Sequence, residues 1–298
     1  MQPELAAAAR ERGGVFTRAE ALAAGYSAAE IRARLANGRW QRLRRGLYAP
    51  TAAQAGEARL SFAAVLAAHP GAVLSHRSAA LMHGLPALGR DDRLVHVVVP
   101  GGRGRRRRGV AVHANELDPA DVVELDRLHV TSLARTAVDL ASVLPLPYAV
   151  AAVDAALRAR PAIESRVREL GEGTRGRTVQ RVLDLSDGRA ESPGESLSRV
   201  AIGSHGLPAP QLQKWVGDTA DPIGRVDFLW PDHSVVGEFD GRGKYATRDD
   251  VWAEKLREDR LRAAGFEVVR WVWADVVGDF GPAAARLRAA FARRAHRR

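Results

Sequence analysis

The sequence predicts a multidomain protein of mixed α+β and α/β class in three parts: a winged helix-turn-helix over residues 1–50, an α+β connector over 51–188, and an α/β domain over 189–298. Three observations predict it. Two helix-start signals stand close together near the N-terminus and are followed by a basic hairpin pattern. A polar, Pro- and Gly-containing stretch interrupts the chain near residue 188. Beyond it the pattern reads helix, strand, hairpin, long helix, strand, helix.

At 298 residues the chain exceeds one typical domain. Its 46% hydrophobic and 27% charged content is an ordinary globular balance. The absence of cysteine excludes disulfides, thiolate zinc sites and thiol catalysis. A formal charge of +10 points to an anionic partner, nucleic acid first among them. The opening "MQPELAAAAR" has no basic segment leading into an apolar one, and the most apolar window, Val138–Leu157, contains Asp139, Asp154 and two prolines. A soluble cytoplasmic protein without signal peptide or membrane span is expected.

In the first part, Thr17-Arg-Ala-Glu20 and Ser27-Ala-Ala-Glu30 both have the capping-box pattern, in which a hydroxyl and a glutamate satisfy free N–H groups at a helix start. They mark two short helices separated by a turn at Gly25. The second, Ser27 to about Asn37, buries Ile31 and Leu35 and turns Arg32 and Arg34 mostly outward. "RWQRLRRGLY", Arg39–Tyr48, mixes apolar and basic residues around Gly46 as a two-stranded wing would. Helix, turn, basic helix, basic wing is a DNA-docking order, with Arg32, Arg34, Arg39, Arg42, Arg44 and Arg45 as the contact residues for double-stranded DNA.

The connector predicts helices over 57–68, 75–82, 131–143, 146–159 and 178–184, with strands over 94–99 and 110–113. Between the two strands "GGRGRRRRG" reads as an arginine-rich hairpin loop able to meet phosphates. Ser75-His76 and His83 have no carboxylate or second histidine at ligand spacing, so no site is expected there. The segment "SDGRAESPG", Ser186–Gly194, is read as the linker.

The last part is expected to run as a helix (194–204), a strand (212–216), a hairpin (223–240), a long helix (248–264), a strand (267–271) and a helix (282–293). Two apolar runs, "IGRVDFLW" and "SVVGEFD", flank Pro231-Asp232-His233-Ser234. Placing Asp232 and His233 in the loop pairs Trp230 with Val235, Leu229 with Val236, Phe228 with Gly237 and Asp227 with Glu238. Glu238 and Asp240 share a strand face, where unpaired anions repel, so a positive group is expected beside them. Mg²⁺ or Mn²⁺, held by one or two carboxylates plus water and phosphate oxygens, would supply it.

"GRVDFLWPDHSVVGEFDGRGKY" followed by "EKLREDRLRAAGFEVVRWVWADV" resembles the very-short-patch-repair-like endonuclease domains of the PD-(D/E)xK superfamily, over about residues 190–280. The resemblance implies a restriction-endonuclease-like α/β fold and a Mg²⁺-dependent endonuclease active in bacterial defence or DNA repair. It makes Asp227 and Glu238 the metal ligands and Glu195 an auxiliary acid. Ser192-Pro-Gly-Glu195 is also a capping box. Where the superfamily places lysine this chain has Asp240, so Lys244 in the glycine turn, favoured by proximity, or Lys255 on the following helix is expected to supply the catalytic cation, with Asp240 orienting water or a second metal. The N-terminal part resembles the winged-helix and linker regions of AbiEi-type antitoxins. That implies the alternative function, a transcriptional repressor or antitoxin with an inactive nuclease scaffold, and a toxin partner or a homodimer.

Overall fold

The structure is a computed structural model describing residues 1–51, 56–86, 89, 93–101, 104–107, 109–173, 177–218, 221–241 and 248–295. The chain packs as two compact units, Met1–Leu140 and Ala141–Arg298.

The first unit begins α1 (Pro3–Glu11), β1 (Phe16–Thr17), α2 (Arg18–Ala23), α3 (Ala28–Ala36), β2 (Trp40–Arg44), β3 (Leu47–Pro50). Both capping boxes form: Thr17 Oγ1 accepts from Glu20 N (3.1 Å) while Thr17 N donates to Glu20 Oε2 (2.7 Å), and Ser27 and Glu30 repeat the exchange. The two helices therefore start where the hydroxyls stand. The strands make an antiparallel sheet in the order β1-β3-β2, with Gly46 at φ +78 turning the hairpin. Its core is aromatic: Phe16 and Trp40 meet edge-on at 4.7 Å, and Tyr26 and Trp40 at 5.0 Å. Ile31 is buried among them and Leu35 packs at the margin, as the helical spacing requires.

The unit continues α4 (Glu57–Ala68), β4 (Val73–Leu74), α5 (His76–Met82), β5 (Val95–Val98), β6 (Arg105–Arg107), β7 (Val110–His113), β8 (Val122–Leu125), β9 (Leu128–Thr131) and α6 (Leu133–Val143). The six strands form one mixed sheet in the order β6-β7-β5-β4-β9-β8. The apolar runs of β5 and β7 read as strands in the sequence; β4 and β6, of two and three residues, are too short to carry a period, and β8 and β9 are not expected from it. Part of the expected arginine loop is thus a strand, β6, paired antiparallel with β7, while Arg103 and Arg108 lie outside the described residues.

The second unit is α7 (Leu146–Ala159), α8 (Glu164–Gly173), α9 (Arg177–Leu185), α10 (Pro193–Ser204), β10 (Gln211–Gly217), β11 (Pro222–Trp230), β12 (Val235–Asp240), α11 (Arg248–Ala263), β13 (Glu267–Val272), α12 (Trp273–Val277) and α13 (Gly281–Ala295). The expected linker at 186–194 lies inside this unit. Fully buried Asp154 of α7 accepts from Arg199 Nη2 of α10 (2.7 Å) and from Asp187 N (2.6 Å), and Arg158 Nη1 donates to Ala190 O (2.7 Å). A polar Pro/Gly composition therefore marks a bonded turn between packed helices here.

The four strands run β10-β11-β12-β13, antiparallel for the first two pairings and parallel for the last, with α11 as the crossover. Three of the four pairs the sequence counts out for the hairpin form, Trp230↔Val235, Leu229↔Val236 and Phe228↔Gly237, while the expected pair of Asp227 with Glu238 is not in the ladder. Its turn is a 3-10 loop over Pro231–His233, closed by Ser234 at φ +50. Gly237 is required by close approach, since a Cβ there would lie 2.5 Å from the Trp271 ring and 3.0 Å from Trp230. Large side chains on one face, Phe228, Trp230, Phe239 and Trp271, join Leu287 and Phe291 of α13. Val226, Leu229 and Val236 on the other pack against Leu261 of α11.

Candidate functional site

Two sets of residues carry chemistry, one in each unit. In the first, α3 and the β2–β3 hairpin present Arg32, Arg39, Arg42 and Arg45 exposed to solvent, and none of these side chains pairs with a described carboxylate. Arg44 is half-buried, and burial pulls its guanidinium below the ordinary arginine value. Arg34 lies elsewhere than expected: its guanidinium carbon sits 4.9 Å from the Tyr26 ring centroid and 5.3 Å from that of Trp40. Both rings belong to the core, so Arg34 covers it and ties α3 to β2.

In the second unit the carboxylates gather where α10 meets the sheet. Ser192 caps α10, its Oγ donating to Glu195 Oε1 (2.7 Å) and accepting from Glu195 N (3.2 Å). Gly194 lets Phe239 close on this helix, since a Cβ there would lie 2.0 Å from the ring. Across from it, Gln213 of β10 adopts φ +52, an unusual conformation for a non-glycine strand residue. Its Nε2 donates to Glu195 Oε2 (2.8 Å) and to Asp227 Oδ1 (3.3 Å), so one amide spans two acids. Asp227 Oδ2 accepts from Phe239 N (2.9 Å) on the neighbouring strand. Burial, and then the charge of Asp227, push the Glu195 carboxyl above its ordinary range.

The positive groups beside the strand acids are arginines. Arg257 Nη2 of α11 donates to Glu238 Oε1 (3.1 Å) and to Glu254 Oε1 (2.8 Å). Arg270 stands opposite Glu238 in the parallel register, with its Nη1 donating to Asp240 Oδ1 (3.2 Å) and its Nε to Glu258 Oε2 (3.0 Å). Burial works to raise Glu254, yet the hydrogen bonds from Arg257 and Arg270 outweigh it and hold the carboxyl below its usual range. The same contacts hold both guanidinium groups above the ordinary arginine value against the opposing effect of burial.

The structure thus brings Glu195 and Asp227 together and pairs Glu238 and Asp240 with guanidinium groups. It does not bring Lys255 to them. Lys255 is exposed on α11, its ammonium 5.9 Å from the Trp252 ring, whereas Glu254, Arg257 and Glu258 occupy the face turned to the sheet. Lys244 lies outside the described residues. Among the described residues, no three imidazole or carboxylate groups are arranged to hold a metal ion. Sequence reasoning missed Gln213, Arg257 and Arg270. The signal for Arg270 was a lone charge inside the apolar run "EVVRWV", which beside a strand carrying acids marks a cross-strand partner. Gln213 had no signal, because its strained backbone is a tertiary product.

Residues 3–51 match the family described as "Transcriptional regulator, AbiEi antitoxin". The N-terminal region is of that regulator kind. Two Mycobacterium tuberculosis proteins, uncharacterized protein Rv2248 (strain H37Rv) and uncharacterized protein MT2308 (strain CDC 1551), are each 36% identical over 198 residues, spanning 65% of this chain and 72% of the relative. The chain belongs to their family. The crystal structure of RV2827C protein from the same species superposes with a TM-score of 0.43 at 18% identity, covering 72% of this chain and 87% of that one. Among the described residues of this Rv2248-family chain, no helix is long and apolar enough to cross a membrane.

Proposed function

We propose that the chain is a cytoplasmic DNA-binding transcriptional regulator of the antitoxin kind, and that its first unit docks on duplex DNA through α3 and the β2–β3 wing. The observation that carries this reading is the unpaired basic face of Arg32, Arg39, Arg42 and Arg45 on a helix-turn-helix-wing order, within the segment that matches the regulator family. Arginines without carboxylate partners stand ready to displace counterions from phosphate. Binding to promoter-length duplexes, followed by fluorescence anisotropy across a salt series, tests it. Steep salt dependence that weakens when Arg42 and Arg45 become alanine supports the reading, and salt-independent or absent binding ends it. A toxin partner or a second copy of the chain fits the antitoxin reading.

A metal-dependent nuclease is the second reading, favoured by the meeting of Glu195 and Asp227 on one amide, next to the strand that ends in Glu238. Two carboxylates are enough for Mg²⁺ or Mn²⁺ with water filling the other positions, and a cation there would offset the burial and the Asp227 charge that together raise Glu195. Glu238 and Asp240 fit that role less well, each being held by a guanidinium. A bound ion would polarise a phosphodiester and acidify an attacking water. Around it, Gln213 would orient the two acids, Arg257 would balance negative charge near Glu238, and Lys244 would be the lysine to examine. Supercoiled plasmid incubated with Mg²⁺, Mn²⁺ or EDTA separates the readings, because nicking with metal alone selects the nuclease.

A further inference from the structure

No site is expected at Ser75-His76 from residue spacing, yet the fold collects three imidazoles there. His76 begins α5 at φ +48 and is 2% exposed. His96 on β5 and His113 on β7 come from neighbouring parallel strands. The His76 and His113 rings stack at 3.6 Å with 14° between planes, and His96 Nδ1 lies 3.0 Å from His113 Nε2. Ser75 Oγ bonds His76 Nδ1 (3.0 Å), and Ser78 Oγ accepts from His96 N (2.9 Å). From α6, Asp139 Oδ2 stands 3.9 Å from His76 Nδ1. Asp139 is itself bound by Arg135, which also faces Asp121 at 3.5 Å.

We propose that the His96–His113 hydrogen bond, closed over by His76, is an acid-sensing latch of the first unit. A bond between two ring nitrogens needs one to donate and the other to accept. A further proton makes both of them donors, and the 3.0 Å contact becomes a repulsion. His76 is sealed in, and burial first, then His113 and His96, drive it down to about 2. The nearest carboxyl, Asp139, is raised by burial to about 6 against the pull of Arg135.

The linkage signs separate the latch from these neighbours. His76, depressed in the fold, contributes stability above the ordinary histidine range that is lost as pH falls below about 6.5. Asp139 acts in the opposite sense: the native state holds its extra proton from about 6 down to the ordinary aspartate value of 3.8, and stability rises as pH falls through that window. The two pull in opposite directions and both remain in variants of His96 and His113, so the difference between wild type and those variants reports the His96–His113 bond. Val95 and Val97, flanking His96 on β5, and Val110 at the start of β7 share one core with Val15 and Ala49, next to β1 and in β3. Opening the latch loosens the packing beneath the DNA-docking elements.

Hydrogen exchange on the full chain tests it, followed from pH 7.5 to 5.5 and corrected for intrinsic exchange rates. Protection in β5 and β7 should fall on acidification by up to about tenfold per pH unit for each proton taken up on opening. The fall should be smaller in His96→Gln and His113→Gln, which keep His76 and Asp139. A flat wild-type profile, or an unchanged slope in both variants, overturns the proposal. Should the variants fail to fold, the wild-type histidine Cε1–H resonances decide. Coupled titration of the His96 and His113 rings, coincident with the loss of protection, supports the latch, and two independent ordinary titrations reject it.

Discussion

Arg257 reaches from α11 to place its Nη2 3.1 Å from Glu238 Oε1, a carboxylate only 2% exposed at the end of a central strand. The contact neutralises an acid that the strand pattern alone leaves facing Asp240. Removing the cation from a buried pair is costly because the charge left behind is poorly solvated. Arg257→Met should lower stability by about 2–4 kcal/mol, at the low side of the buried-pair range because Arg257 keeps some solvent contact. Glu238→Gln in that background should restore part of the loss. Urea denaturation of the two variants checks it, and an unchanged midpoint in Arg257→Met would show the ion pair to be marginal.

Arg32 and Arg34 lie two residues apart on α3 and should separate cleanly. Arg34→Ala removes a guanidinium from the Tyr26 and Trp40 faces and should cost about 1 kcal/mol of stability. Arg32→Ala should leave the melting temperature unchanged, weaken duplex binding and reduce the slope of log K against log salt by about one. Calorimetry and anisotropy on the same preparations distinguish them, and the reverse pattern would relocate the DNA-facing side of the helix.

Gly237→Ala should destabilise the second unit by about 1–3 kcal/mol, the cost of overpacking, because the new methyl meets the Trp271 and Trp230 rings. Near-ultraviolet circular dichroism should report the displaced indoles. A neutral substitution would mean that the sheet opens there at little cost.

Metal response probes the acid cluster. Mg²⁺ or Mn²⁺ at millimolar concentration should raise the melting temperature by binding the folded state, and the rise should vanish in Asp227→Asn and Glu195→Gln. Equal shifts in wild type and both variants would place any metal elsewhere.

Glu195 also titrates to an expected sign. Its folded carboxyl is raised above the unfolded value, so the native state binds the extra proton and stability contributed through this group increases as pH falls through the folded pKa toward the ordinary glutamate value of 4.5. Glu195→Gln should flatten that part of the stability profile, as measured by denaturant midpoints from pH 7 to 4.

The sequence by itself determined the local structure wherever one signal sufficed. Hydroxyl–glutamate pairs at 17/20 and 27/30 set the starts of α2 and α3, and the turn between two apolar runs set the β11–β12 register to the residue. These rest on contacts a few residues apart, which a linear pattern records directly. Tertiary structure decided what those elements meet. Arg34 turned onto aromatic rings brought in from β2 and from the turn before α3, and the cation awaited beside Glu238 and Asp240 came as Arg257 and Arg270 from elements 19 and 30 residues away. His76, His96 and His113 converged only because β5 and β7 lie side by side on one sheet. Such partners are chosen by strand order and helix crossing, and those follow from burying whole faces together, a property no short window of sequence contains.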